Sequence, residues 1–271
     1  MIVNGKQIAS DILAEVKAGL QGRTPVVRAI VVQPTAATES YLSIKESRAR
    51  EAGMELQVVR LPDDADEASV IAAVQEPGAD AVIVQLPLPE HLYTETVLNA
   101  IPYAQDADVL SNGAYARFET NEEGALVPPV AGAVLEILTR SHVDVRGKQA
   151  VVVGRGKLVG KPVAVLLERL GALVTVVDQS TKNTKELLRD ADIVVSGAGK
   201  ANLIVPDVIK EGVVLIDAGT SGAYGGVLGD IHPDCASKAS VYTPVPGGVG
   251  PVGVACLFKN AALLSEGRQV A

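Results

Sequence analysis

The chain has 271 residues, a formal net charge of −8 and 48% hydrophobic residues, enough apolar material for one large α/β core or two smaller ones. That acidic balance, with no basic stretch interleaved with aromatics, argues against a nucleic-acid surface, and no apolar run reaches the length of a membrane span. Cys235 and Cys256 are too few and too isolated for a disulfide framework or a Cys-rich zinc site, and they fit a reducing cytoplasm. The opening residues Met1 to Ile8 lack the basic-then-apolar pattern of an export signal.

Taken in chain order, Ile8, Ile12, Leu13, Val16 and Leu20 form a helical stripe, Val26 to Val32 is β-branched and strand-like, and Thr38 to Ala52 returns to helical character, closed by Gly53. Leu56 to Val59 and Ala81 to Val84 read as further strands, with Glu67 to Val74 as a helix between them. The stretch Asp106 to Val127 is polar and turn-rich, and the helical segment Val130 to Thr139 follows it. Four more strands are expected at Ala150 to Val153, Leu173 to Val177, Ile193 to Val195 and Val213 to Asp217, with a helix from Val163 to Leu170 after the first and a last helix from Val252 to Leu264. Alternation of this kind predicts an α/β protein of parallel βαβ units, the second half doubly wound. The expected domains are residues 1–125, completed by a helix over 252–271, and residues 126–251.

Six places carry residues of chemical interest. Gly154-Arg155-Gly156-Lys157-Leu158-Val159-Gly160-Lys161-Pro162 follows an apolar strand and precedes a helix, where glycine permits unusual dihedrals and lets a pyrophosphate approach backbone amides. The spacing is not the strict dinucleotide fingerprint, so a purely structural strand-to-helix turn stays open. Asp178 ends the next strand, where a βαβ unit puts the acid that contacts the adenosine ribose, although an Asp there also caps turns. Tyr41 and Lys45 lie four apart on one helix face, either as a hydroxyl and an amine sharing a site or as a solvated Lys beside a half-buried Tyr. Gln85 stands at the C-terminal end of an apolar strand, the end where open α/β sheets bind ligands; an amide there also satisfies loop backbone. Asp106 and Asp108 have solvated turn acids as their default reading. Pro244 to Pro251 concentrates proline and glycine beyond what turn-making asks. His91, His142 and His232 are scattered, so no metal is expected.

These pieces, in this order, resemble the bifunctional 5,10-methylenetetrahydrofolate dehydrogenase/cyclohydrolase family across nearly the whole chain. The resemblance rests on Thr38-x-x-Tyr41-x-x-x-Lys45, Val84-Gln85-Leu86-Pro87-Leu88-Pro89, Asp106-x-Asp108, Gly154-Arg155 with Val159-Gly160-Lys161-Pro162, Asp217-x-Gly219, Gly229-Asp230 and Pro244-Val245-Pro246-Gly247-Gly248-Val249-Gly250-Pro251. It implies an N-terminal catalytic domain, a Rossmann-like NAD(P)-binding domain, a folate cleft between them, a C-terminal helix returning to the first domain and a homodimer as the usual assembly. It further implies hydride transfer from the methylene carbon of 5,10-methylenetetrahydrofolate to the nicotinamide, then attack of water on the methenyl cation. By the same resemblance Lys45 assists proton transfer, as a partly desolvated amine can. Gln85 orients it, Tyr41 lines the cleft and Asp108 accepts from the pterin nitrogens. Thr38, Pro246, Gly247 and Gly248 would touch the folate, and Gly154, Arg155, Gly156, Gly160, Asp178 and Thr220 the cofactor.

Departures from the family pattern bear on both sites. Lys-Asp-Val-Asp-Gly of the family is here Gln105-Asp106-Ala107-Asp108-Val109, its Pro-Cys-Thr-Pro is Pro128-Pro129-Val130-Ala131, its Gly-Arg-Ser is Gly154-Arg155-Gly156, and its His-Ser pair is Asp178-Gln179. Arg155 suits a 2′-phosphate, whereas Asp178 repels one and accepts the free ribose hydroxyls of NAD. Family precedent points to NADP, with NAD open because of Asp178. Two rival functions stay open: a nicotinamide-dependent dehydrogenase of another small metabolite, which has no need of Lys45, Gln85 or the Pro244 loop, and a non-catalytic nucleotide-sensing module, which has no need of Tyr41, Lys45, Gln85 and Asp108.

Overall fold

The computed structural model describes residues 1–223 and 226–267. They fall into two compact units, one joining Met1–Ala9 to Val130–Gly253, the other formed by Ser10–Pro129 with the chain from Val254.

In the unit built on Ser10–Pro129, helix α1 (Gly5–Gly19) leads to strand β1 (Val26–Val32), helix α2 (Ala36–Glu51), β2 (Glu55–Leu61), α3 (Glu67–Gln75) and β3 (Ala81–Val84). The three strands are parallel in the order β2-β1-β3. Every residue of β3 is buried, as is β1 from Val27 on, which is what apolar runs covered on both faces require. Local chemistry starts the helices: Thr35 caps α2 by accepting from Thr38 N, and Asp66 caps α3 by accepting from Ser69 N. Gly53, at φ 76°, ends the turn after α2 as expected. The stretch read as a polar, turn-rich connection contains a helix, α5 (Asn112–Glu119), preceded by α4 (Thr94–Asn99). Ser111 caps α5, and Phe118 and Ala114 are its only buried residues, so its short apolar face left too little periodicity to stand out.

In the other unit, α6 (Pro129–Arg140) precedes β4 (Gln149–Val153), α7 (Gly160–Arg169), β5 (Leu173–Val177), α8 (Thr184–Asp190), β6 (Ile193–Ser196), β7 (Val214–Asp217), a hairpin of β8 (Ser221–Ala223) and β9 (Gly226–Leu228), then β10 (Val241–Tyr242) and α9 (Val249–Gly267). Five strands form one parallel sheet in the order β10-β7-β6-β4-β5. The chain leaves β4 for β5 on one side and returns to β6 on the other, which makes a topological switch point at the C-terminal ends of β4 and β6. Residues 1–9 were expected in the other domain. They group here because Ile2 bridges Tyr242 in parallel and Tyr242 N donates to Met1 O, continuing the sheet beyond β10. The final helix begins at Val249, inside the Pro244–Pro251 segment, and its later part lies with Ser10–Pro129, where Asn260 Nδ2 donates to Ala107 O and Val127 O at 2.9 Å each.

Candidate functional site

Helix α2 carries Thr38, Tyr41 and Lys45 at successive turns of one face. Thr38 is buried and shares a 3.0 Å hydrogen bond with the Thr35 hydroxyl, so it secures the helix start. Tyr41 is 46% exposed, a large aromatic surface without cover. Lys45 Nζ donates to Gln85 Oε1 at 3.0 Å. Gln85 directly follows β3, its own N–H donating to Ile30 O, and its Nε2 donates to Leu86 O at 3.0 Å. With the donor end of the amide spent on the backbone, the acceptor end is left facing the amine.

Asp108 belongs to the same group. Burial pushes its carboxyl above the usual range, the Lys45 charge pulls it down, and Asp106 pushes it up again. The loop is fixed from beneath: Asp106 is fully buried and accepts from Leu110 N at 3.2 Å and Ser111 N at 2.7 Å, while Gln105 Nε2 donates to Ala79 O at 2.6 Å. Asp106 is thus not the solvated turn acid that polarity alone suggests. Val109, standing where the resembling family has glycine, adopts φ 56°, a left-handed conformation that a β-branched residue takes only under constraint. Asn260 buttresses this loop through Ala107 O. Sequence reasoning passed over Asn260, although a lone amide within the apolar segment Cys256 to Leu264 was a visible signal.

The turn after β4 gathers the second set of residues. Gly154 has φ 107°, a Cβ on it would lie 2.8 Å from Gly197 O, and a Cβ on Gly160 would lie 2.0 Å from Gly154 O. Glycine at both positions lets the turn fold into the first turn of α7 and against the end of β6. A Cβ at Gly156 would meet nothing within 4 Å, so the turn presents bare backbone outward there. These features fit a dinucleotide phosphate at the switch point. Arg155 Nε donates to Asp178 Oδ2 at 2.6 Å and its Nη2 to Val176 O at 3.0 Å. The Ser180 hydroxyl and N–H, and Arg155 after them, hold the Asp178 carboxyl down at about 2. Thr220 is exposed, its carbonyl 3.7 Å from a Cβ position on Gly199.

Two buried acids shape the neighbouring loops. Asp230 accepts from the Ser196 hydroxyl, Ala198 N, Gly199 N and Lys200 N, and Asp217 accepts from Gly219 N and Ile231 N. Gly219 and Gly229 are required by these carboxylates, since a Cβ on either would stand 2.1 or 2.2 Å from the facing acid. Pro246, Gly247 and Gly248 belong to this unit and not to the one with Lys45; Gly248 N donates to Pro244 O, and its carbonyl crowds the Cα of Gly5. Among the described residues no group of three or more His, Cys, Asp or Glu is arranged to hold a metal ion, and no helix is long and apolar enough to cross a membrane.

Comparison with known proteins gives a consistent picture. Residues 3–108 match the family model for the tetrahydrofolate dehydrogenase/cyclohydrolase catalytic domain, and residues 128–269 that for the NAD(P)-binding domain of the same family. A bifunctional protein FolD from Thermus thermophilus is 37% identical over 272 residues, covering 97% of this chain and 96% of the relative. A FolD methylenetetrahydrofolate dehydrogenase/cyclohydrolase structure from Campylobacter jejuni superposes with a TM-score of 0.95 at 29% identity, covering 99% of each chain. A Trypanosoma brucei FolD structure, complexed with NADP cofactor and inhibitor, gives a TM-score of 0.93 at 32% identity over 100% of this chain and 99% of its own.

Proposed function

Because this chain belongs to the tetrahydrofolate dehydrogenase/cyclohydrolase family, we infer that it oxidises 5,10-methylenetetrahydrofolate to 5,10-methenyltetrahydrofolate with NADP and hydrolyses the product to 10-formyltetrahydrofolate. The observation that carries the reading is the Lys45–Gln85 contact at 3.0 Å, with the Asp108 carboxyl as electrostatic neighbour. A dinucleotide-binding domain of another specificity has no use for that group.

Attack of water on the methenyl carbon is completed when the bond from that carbon to N5 breaks: Lys45 Nζ would give a proton to the departing N5 and take one from the attacking water, whose remaining proton leaves to solvent. Gln85 would hold the amine in line without itself reacting. Asp108 would accept the planar N–H edge of the pterin, a geometry suited to a carboxylate. The Tyr41 ring would lie against the folate ring system, covering the aromatic face now open to solvent. Thr38 would support this face, and the backbone of Pro246, Gly247 and Gly248 would supply further folate contacts. Bound NADP supplies the hydride acceptor. Gly154, Gly156 and Gly160 would admit its pyrophosphate, and Arg155, Asp178 and Thr220 would address the rest of it. Hydride transfer depends on positioning, so the oxidation step leans less on Lys45 than hydrolysis does.

In this reading the protein is a homodimer acting on tetrahydrofolate derivatives, as the family resemblance implies, in the reducing cytoplasm that its two isolated cysteines fit. A spectrophotometric assay tests the reading. With 5,10-methylenetetrahydrofolate the purified protein reduces the nicotinamide cofactor, and with the methenyl compound it forms 10-formyltetrahydrofolate. Folded protein that turns over neither substrate, with NADP or NAD, overturns the assignment.

A further inference from the structure

The group suited to a 2′-phosphate is already engaged. Arg155 Nε is 2.6 Å from Asp178 Oδ2, and its Nη2 is tied to Val176 O, so two of its donors are committed to the end of β5. Asp178 is fixed in turn: Oδ1 accepts from Ser180 N at 2.9 Å and Ser180 Oγ at 2.6 Å, and the Thr181 hydroxyl accepts from Asp178 N at 3.1 Å. The guanidinium is 56% exposed and the carboxylate 28%, so both face the solvent from which a cofactor would arrive. An approaching phosphate dianion meets a cation and an anion at nearly the same place. Their fields largely cancel, and freeing the arginine exposes an unpaired carboxylate beside the phosphate. A ribose carrying two free hydroxyls meets no such conflict, because a carboxylate accepts from them.

Building on the dehydrogenase reading above, we propose that Asp178 sets the cofactor specificity of this chain by holding Arg155 away from a 2′-phosphate and offering its own carboxylate to the ribose hydroxyls, so that NAD is taken alongside NADP. Asp178 then acts as a selectivity element that family precedent for NADP does not include. Replacing it with a neutral side chain frees Arg155 for the phosphate and removes the charged acceptor for the hydroxyls, which moves the two affinities in opposite directions.

Calorimetric titration of NADP and NAD against the parent, Asp178→Ser, Asp178→Asn and the double variant Asp178→Ser/Arg155→Ala tests this. The 2′,5′-ADP and 5′-ADP fragments are titrated in parallel to isolate the adenosine half. In the parent the two dissociation constants fall within roughly tenfold of each other, and either substitution at Asp178 raises the NADP to NAD affinity ratio by roughly another tenfold. The arginine substitution then abolishes that gain, because Arg155 provides it, so its effect is larger in the Asp178→Ser background than in the parent. Asp178→Asn keeps the size of the side chain and answers the question if the serine variant is poorly folded. A folded parent that binds neither dinucleotide overturns the dehydrogenase reading itself. A parent that binds both, with a ratio unmoved by either substitution, or one that already prefers NADP by more than roughly a hundredfold, overturns the role of Asp178 and leaves that reading intact.

Discussion

Lys45 is the residue on which hydrolysis is expected to turn. Lys45→Met keeps the length of the side chain and removes the amine, so conversion of methenyl to formyl folate should fall to background while dinucleotide binding at the Gly154 turn persists. Equal hydrolysis rates in mutant and parent would remove Lys45 from the mechanism. Val109, beside Asp108, offers a stability test in which two magnitudes compete. Its left-handed φ of 56° costs an L-residue about 1–2 kcal/mol, yet its side chain is only 1% exposed and its burial offsets that cost. At such a position glycine tolerates the backbone and alanine does not. Val109→Gly should therefore be more stable than Val109→Ala by about 1 kcal/mol in urea unfolding, the reverse of the order at an ordinary site.

At the scale of elements, the β4–α7 turn separates a glycine that the fold needs, Gly160, from one that it does not, Gly156. A methyl group at Gly160 would stand 2.0 Å from the carbonyl of Gly154, a backbone atom that cannot swing aside. Gly160→Ala should lower the thermal midpoint and weaken NADP binding together. A methyl at Gly156 meets nothing within 4 Å, so Gly156→Ala should leave the midpoint within about a degree or two while weakening NADP if the cofactor approaches over that backbone. Midpoint and affinity, read side by side for the two variants, decide the point. A Gly156→Ala protein that binds NADP as the parent does would show that the pyrophosphate lies elsewhere along the turn.

For the stability of the whole molecule, the buried acid Asp217 gives a signature in pH. Burial, as the leading cause, pushes it up to about 6 from an ordinary 3.8, while hydrogen bonds from Ile231 N and Gly219 N pull the other way. A folded state that holds the proton more tightly than the unfolded chain gains stability in full below about pH 4, and that gain is lost as pH rises through about 6. The contribution is on the order of 3 kcal/mol. Asp192, held low chiefly by Lys210, contributes in the opposite sense: its stabilisation is present above the ordinary carboxylate range and is lost on acidification. Comparison with Asp217→Asn isolates the buried acid, because asparagine does not titrate. The stability of the parent relative to Asp217→Asn should decline between about pH 4 and pH 7, measured by denaturant unfolding; a constant difference would mean that Asp217 keeps its charge throughout.

The order of elements was legible in the chain because periodicity is a local property. Strands β1, β3 and β5 fall where their apolar runs predict, and α2, α3 and α6 end within a residue or two of their expected limits. The short helices α4, α5 and α8 and the β8–β9 hairpin were not legible, since six to eight residues with few buried positions carry little periodic signal. The sequence alone singled out Lys45, Gln85, Asp108, Gly154 and Asp178 as residue types in suggestive places. Only the tertiary structure decided which of them meet. Lys45 and Gln85 are 40 residues apart and touch because α2 and the end of β3 converge. Arg155 and Asp178 are 23 apart and touch because β4 and β5 are adjacent in the sheet. Spacing along a chain fixes which face of an element a side chain occupies, whereas a contact between elements depends on how their buried faces pack, and no local pattern records that.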